Sequence, residues 1–393
     1  MMLSLQKTVA ACVLIACSLG ADGAPLDAEY REKARSIADR AIEYLRSQQD
    51  DTTGGWNHNP DGPNLPAISG LVVTGMLLDA RIDQYDESVS RGVEYILSYA
   101  KDDGGIHDDF LQSYNTSICL SALADVRLPK ASVAIVSGQS FLKGLQYHEG
   151  FDGSVEATHF SEPVPVDHPY YGGIGYGKHG RPDLSNLGFF MQAMHDTGAS
   201  SEDESMKRAM KFLERVQMVD EINDMSYADE SQQGGFVYAT VPNLESVDGR
   251  AGQSQAGTIV EEHEDGTRIT RLRAYGSMTY VGFKSLLFAD LAPDDPRVTH
   301  ARRWIGEHFT IDENPGMGAQ GLYYYYCSMA RALGAWGEDE ISGVDWREAL
   351  IDKLATLQSA DGSFAAQHDR WMESDPVLIT AYALIAIEHT LND

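Results

Sequence analysis

The sequence predicts an all-α protein, an (α/α)6 toroid of about six helical hairpins carrying a small β-hairpin insertion. Three observations carry that expectation. An amphipathic helix, a turn and a second, almost uncharged helix recur about six times along the chain, and recurrence on that scale marks a repeat architecture. The second helices have no polar face, so they must be surrounded by protein. A turn running from glutamine to an aromatic residue, "QDDTTGGW" at residues 49–56, returns as "QSADGSF" at residues 358–364, as expected if the first and last units meet in a closed ring.

The elements follow in chain order. "MMLSLQKTVAACVLIACSLGADGAPLD" places Lys7 ahead of a short apolar run and small residues, the layout of a secretory signal rather than a membrane span. Residues 1–24 are read as that signal and 25–393 as the toroid. "LIAC", Leu14 to Cys17, also resembles a bacterial lipobox, in which case Cys17 would carry a lipid anchor. The expectation is an exported protein, periplasmic or extracellular. If cleavage falls after Cys17, only Cys119 and Cys327 remain, too few for a disulfide framework.

The first helices of the units include "AIEYLRSQ", "GVEYILSYA", "GQSFLKGLQ", "AMKFLERVQ", "ARRWIGEHF" and "LIDKLATLQ". Their apolar residues fall at helical spacing with charge opposite. The second helices include "AISGLVVTGMLLDA", "SYNTSICLSALADV", "DLSNLGFFMQAMHDTG", "YGSMTYVGFKSLLFADL", "GLYYYYCSMARALGAW" and "DPVLITAYALIAIEHTL". Two units carry long insertions before their inner helices, residues 151–183 and Met225 to Tyr275. The second contains two alternating runs around Asp265-Gly266, a β-hairpin signal. Long loops in a compact ring are usually functional or partly disordered.

The "QxxxGxW" turn, Gln49 to Trp56 and again Gln358 to Phe364, resembles the repeat of squalene and triterpene cyclases and of protein prenyltransferase β-subunits. The resemblance covers residues 30 to 393, strongly in the first and last units and loosely between them. It implies that the glutamine caps one helix and stacks on the aromatic residue, tying neighbouring hairpins together. It also implies a central cavity for an isoprenoid ligand. The family's catalytic patterns are missing. Class II cyclases protonate an alkene with the middle aspartate of DxDD; at the corresponding "PDLSN" the later acids are Ser185 and Asn186, and neither replaces a strong carboxylic acid. Prenyltransferases bind zinc through Asp, Cys and His. Around Cys327 the Asp position is Tyr325, and the last inner helix offers no histidine in "DPVLITAYAL". No metal and no cofactor are therefore expected.

Other motifs carry less. "GYGKHG", Gly175 to Gly180, satisfies GxGxxG but lacks the strand and helix that a dinucleotide site needs. No GxSxG elbow is present. A formal net charge of -29 repels phosphate backbones, so nucleic acid is not an expected partner.

Candidate site residues cluster where the insertions enter the mouth. His168, Tyr171, Asp183 and Tyr323 are assigned to catalysis. Asp167, Tyr170, Lys178, His179, Arg181 and Asn186 are assigned to substrate binding from the first insertion and the start of its helix. Arg271, Arg273 and Tyr275 join them from the second, with Tyr324 from the tyrosine run Tyr323 to Tyr326. A run of four on a helix puts about two toward the barrel axis. Phenols there can stack on sugars, donate protons or stabilise cations. The ligand expected in the mouth is a hydrophobic or glycan small molecule. The first expectation is an isoprenoid- or lipid-related cavity protein with a non-standard site. The alternatives are a polysaccharide lyase or glycosidase on an α/α ring, and a non-catalytic exported scaffold.

Overall fold

The computed structural model describes residues 25–150, 163–177, 181–240, 253–263 and 265–391. Six inner helices, α2 (Pro66–Leu78), α4 (Gln112–Leu123), α6 (Leu184–Asp196), α8 (Gly276–Phe288), α10 (Leu322–Trp336) and α12 (Pro376–Leu391), pack in sequence order, and α12 closes back onto α2. Six outer helices surround them: α1 (Ala28–Ser47), α3 (Glu87–Ser98), α5 (Pro129–Leu145), α7 (Glu204–Val216), α9 (Pro296–His308) and α11 (Trp346–Leu357). The outer helices α3, α5, α7 and α9 each lie on the inner helix that precedes them, and α1 lies on α12 across the closure. The (α/α)6 toroid expected from the uncharged second helices is the fold observed. Among the described residues no helix is long and apolar enough to cross a membrane.

The outer helices start on aspartate. Asp27, Asp86, Asp203, Asp295 and Asp345 each accept a hydrogen bond from the backbone N–H two residues on, at 2.8 to 3.0 Å. Each such cap stabilises its helix by about 1 kcal/mol. The exception is α5, opened by Pro129, a residue suited to the first helical position.

The connecting turns repeat more faithfully than the sequence suggests. Gly54-Gly55-Trp56, Gly104-Gly105-Ile106, Gly172-Gly173-Ile174, Gly234-Gly235-Phe236 and Gly362-Ser363-Phe364 occupy the same place in five units. The leading glycine has φ between +78° and +95° in all five, and a Cβ there would stand from 1.8 Å (Arg208) to 3.0 Å (Arg91) from a backbone carbonyl oxygen of the next outer helix. Only glycine satisfies both demands. In four of these turns a glutamine clamps the glycine to that helix. Gln49 Nε2 donates to the carbonyls of Gly54 and Ser88, Gln146 to Gly172 and Ser205, Gln217 to Gly234 and Arg297, and Gln358 to Gly362 and Ile37, all at 2.7 to 3.0 Å. In the third and fourth units an insertion lies inside the turn, between the glutamine and the glycines, which hides the motif in the sequence. Neighbouring hairpins are thus tied by paired hydrogen bonds to backbone. The aromatic residue is held separately: the buried Trp56 donates from Nε1 to Leu45 O at 2.7 Å.

The insertion around Asp265-Gly266 forms the expected hairpin, β1 (Thr258–Glu262) antiparallel to β2 (Arg268–Leu272), with Thr258 opposite Leu272. A second, minimal hairpin, β3 (Glu340–Ile341) with β4 (Val344–Asp345), turns on Ser342-Gly343, both at positive φ, a two-residue turn that suits strand twist. Cys119 and Cys327 are separate free thiols in the core.

Candidate functional site at the barrel mouth

The loops that enter the inner helices open onto a cavity of about 320 Å³. Its wall is mainly aromatic. The inner helices contribute Tyr114, Phe189, Tyr324 and Tyr382, and the loops contribute Tyr176, Tyr238 and Tyr275. The phenols pair: Tyr114 shares a hydrogen bond with Tyr382, and Tyr176 with Tyr238. Burial pushes the Tyr114 phenol up to about 12 and moves Tyr176, Tyr238, Tyr275, Tyr324 and Tyr382 in the same direction. The lining is therefore protonated at neutral pH, able to donate hydrogen bonds and to offer π faces.

A strap between α11 and α12 lines the cavity with Trp371, Met372 and Glu373. Trp371 and Met372 sit consecutively at φ +57° and +65°, a conformation uncommon for non-glycine residues. Four hydrogen bonds hold it. Arg370 donates to Gln320 Oε1 at 2.7 Å and to Gln255 Oε1 at 2.5 Å. The buried Glu373 carboxylate accepts the backbone N–H groups of Gly321 and Tyr323 at 3.0 and 3.1 Å, closing the start of α10.

Asp183 caps α6. It is 1% exposed and accepts from the backbone N and the Nδ2 of Asn186 at 2.9 and 2.8 Å. Burial nevertheless pushes its carboxyl up to about 6, against the Asn186 bonds, the Arg181 charge and a hydrogen bond with Tyr238. A helix N-terminus favours the ionised form; desolvation is the larger effect, which leaves the carboxyl close to neutral pH. Arg181 stacks over the Tyr238 ring at 5.5 Å. Asp183 thus stands behind the cavity wall, connected to it through Tyr238 and Tyr176.

The other sequence candidates divide. Tyr275 and Tyr324 line the cavity. Asn186 is a buried bracket, bonded to Asp183 and accepting from Ser113 at 3.3 Å. Tyr323 turns outward and donates to Ala365 O at 3.2 Å. Tyr325 and Tyr326 likewise donate to Thr310 O and Ile311 O, at 2.6 and 2.7 Å. One tyrosine of the four faces the cavity, because the other three satisfy backbone carbonyls of flanking loops.

His168, Tyr170 and Tyr171 lie over the outer helices. Arg215 of α7 donates to His168 O at 2.6 Å and to Val166 O at 2.8 Å, and Tyr171 packs with Tyr147 and Val164 in a separate small cluster. Asp167 is exposed on that segment. Arg271 is buried beside Glu261 and Glu230, at 3.5 and 3.7 Å, and Arg273 is exposed. Lys178 and His179 lie outside the described residues. The rim expected from both insertions therefore converges only in part, through Arg181, Asp183 and Tyr275. Tyr114, Tyr176, Phe189, Tyr238 and Tyr382 were missed, although a lone tyrosine in an uncharged stretch of an inner helix, as in "SYNTS" and "ITAYAL", was a usable signal.

No family model and no curated protein matches the chain. Solved structures do match its fold. The GH76A alpha-1,6-mannanase from Salegentibacter sp. HEL1_6 superposes with TM-score 0.55 at 10% identity, over 91% of this chain and 98% of that one. A novel alpha-amylase from Clostridium perfringens gives TM-score 0.51 at 14% identity, over 93% and 99%. The type II terpene cyclase MstE from Scytonema reaches only 0.34 at 13% identity, over 91% and 98%, too distant to argue from. At these identities the likeness is one of fold: the chain is an α/α toroid, the architecture it shares with these glycosidases.

Proposed function

We propose that this toroid is exported and binds a compact isoprenoid or similarly apolar ligand in the tyrosine-lined mouth. The observation that carries the reading is the cavity wall, made largely of aromatic carbon with a few phenol hydroxyls. Ligand cavities of about 300–1,000 Å³ lined this way bury most of a small ligand and orient it with a few polar groups. At about 320 Å³ the space suits one compact molecule. Aromatic faces also stabilise positive charge, so the chemistry on offer is the shielding of a cationic centre. Alkene protonation is not, because a carboxyl near 6 and phenols above 10 are far weaker acids than that step requires. The prenyltransferase and squalene-cyclase resemblance of the glutamine turn agrees with this reading. Asp183 acts in it through Tyr238, and Tyr275 and Tyr324 contact the ligand.

A glycan is the second reading, favoured by two buried carboxyl groups at the mouth, Asp183 and Glu373, beside aromatic faces that can stack on sugar rings. Both carboxyls are engaged on helix N-termini, which weighs against either as a free acid. Titration calorimetry with farnesol and with alpha-1,6-mannotriose separates the two. Farnesol should bind the full chain and lose about tenfold or more in Tyr324→Ala and Tyr382→Ala. Binding of the trisaccharide alone would overturn the apolar reading in favour of the second. Export is tested by intact mass of the protein made in a bacterial host: a chain starting near residue 25, or an acylated Cys17, supports it, and a retained Met1 opposes it.

A further inference from the structure

Beneath the mouth cavity a second chamber lies inside the barrel, with about 10 Å³ of free space, room for about one water-sized particle. Phe189, Tyr324 and Tyr382 line both spaces and separate them. Two cationic side chains reach the lower one, Lys284 from α8 and Arg331 from α10, beside Cys327 and Ser328.

Their acceptors are incomplete. Lys284 is 5% exposed and donates to Gln192 Oε1, whose Nε2 passes the interaction on to Asp196 Oδ1 at 2.7 Å. An ammonium has three N–H donors and a guanidinium five. Arg331 makes no hydrogen bond or ion pair with any described residue. Asp196 is the one carboxylate acting on both Lys284 and His389, and its Oδ1 already takes Gln192 and lies 3.4 Å from His195 Nδ1. His389 adds no positive charge, since burial and the two cations push its imidazole down to about 3. Burial and the Arg331 charge also pull the Lys284 ammonium down to about 7. Among the described residues the buried Lys284 thus has only the uncharged Gln192 and the Phe288 ring, 5.4 Å away, as direct partners, in an interior where unpaired charge is costly. The half-buried Arg331 adds a second positive charge beside it.

We propose that the lower chamber binds a single halide-sized anion between Lys284 and Arg331, within reach of the Ser328 hydroxyl. A water molecule fills the same space but leaves the charges unbalanced, whereas a carboxylate or phosphate is too large for it. The site is separate from the mouth cavity and does not depend on the ligand bound there.

Crystals of the full chain soaked in sodium bromide provide the test. One anomalous peak is expected in the chamber between the two cations; an ordered water with no anomalous signal overturns the proposal. In solution, halide should raise Tm saturably relative to sodium gluconate at equal ionic strength, because a ligand that binds only the folded state stabilises it. The midpoint of that rise should move to about tenfold higher halide in Arg331→Gln, a weakening of about 1.4 kcal/mol, and the effect should vanish in Lys284→Met. If Lys284→Met does not fold, the half-buried Arg331 decides alone. Equal Tm in both salts for the wild type, or an unchanged midpoint in Arg331→Gln, also overturns it.

Discussion

The turn after α1 and the turn after α5 make the same clamp with different lengths of chain. After α1, Gln49 reaches Gly54 across a tight loop, whose Asp50 and Asp51 carbonyls also accept from Arg91 of α3 at 2.9 and 2.7 Å. After α5, Gln146 reaches Gly172 with an insertion between them, yet its Nε2 meets the glycine carbonyl and the next outer helix at 2.9 and 2.8 Å, against 2.7 and 2.9 Å for Gln49. The chain that leaves the inserted clamp supplies Tyr176, Arg181 and Asp183, and the one after α7 supplies Tyr238. Fold and site are therefore carried by separable parts of one turn. The glutamine and glycine hold the ring, and the length around them builds the mouth.

The strongest way to break the plain turn is to remove its aromatic residue. Trp56 is fully buried, bonds Leu45 O, and sits against Gly92, whose Cβ would come within 2.7 Å of the indole. Trp56→Ala should cost about 3–5 kcal/mol by loss of a large ring and the cavity left behind, read as a lower urea midpoint. An unchanged midpoint would mean that the turn does not hold the ring. The inserted turn breaks best at its glycine. A Cβ on Gly172 would stand 1.8 Å from Arg208 O, compared with 3.0 Å from Arg91 O for Gly54. Gly172→Ala should cost about 3 kcal/mol from left-handed strain and overpacking, and Gly54→Ala less. The reverse order would show that the insertion relaxes its turn.

This separation explains what the sequence disclosed. The toroid was legible because charge is absent from whole helices such as α2 and α4, and because the first and last turns, free of insertions, match. The middle clamps were not, since Gln146 and Gly172 are neighbours only after the chain between them has folded away. At the site, Tyr275, Tyr324, Arg181 and Asp183 were reachable from their positions at inner-helix starts. His168 and Arg271 looked equally functional, as charged or titratable residues in long loops. Their partners Arg215 and Glu261 lie on other elements, so only tertiary contact shows that both are engaged in packing. Tyr114 and Tyr382 are single aromatics in nearly uncharged inner helices, where period alone does not tell the barrel axis from the core.

The site half of the turn is sharpened through Asp183. Its carboxyl is raised to about 6 from an ordinary value of 3.8, so between those values the folded state holds more protons than the unfolded one. Stability must then fall as pH rises through this window. From pH 4 to pH 7 the loss is on the order of 2 kcal/mol. Asp183→Asn keeps the cap but removes the titration, so urea denaturation should show the variant gaining on the wild type by about that amount as pH increases. A constant difference across pH 4 to 7 would mean that the buried carboxyl is not raised.

The smallest effect tests the comparison most directly. If both clamps are the same device, Gln49→Ala and Gln146→Ala should each cost about 1–2 kcal/mol, the value of backbone acceptors left without their donor. Gln146 should stand at the upper end. It is fully buried, and its Oε1 also accepts from Arg208 Nε at 3.0 Å, so truncation strands a guanidinium donor as well as two carbonyls. Gln49 is only half-buried, and water can replace part of what it gives. Farnesol affinity should be nearly unchanged in Gln49→Ala and weakened in Gln146→Ala, whose turn leads into Tyr176 and Asp183. Equal stability losses with equal, unaltered ligand affinity would show that the inserted turn does not position the mouth, and the division between clamp and insertion would fail at the unit where it is clearest.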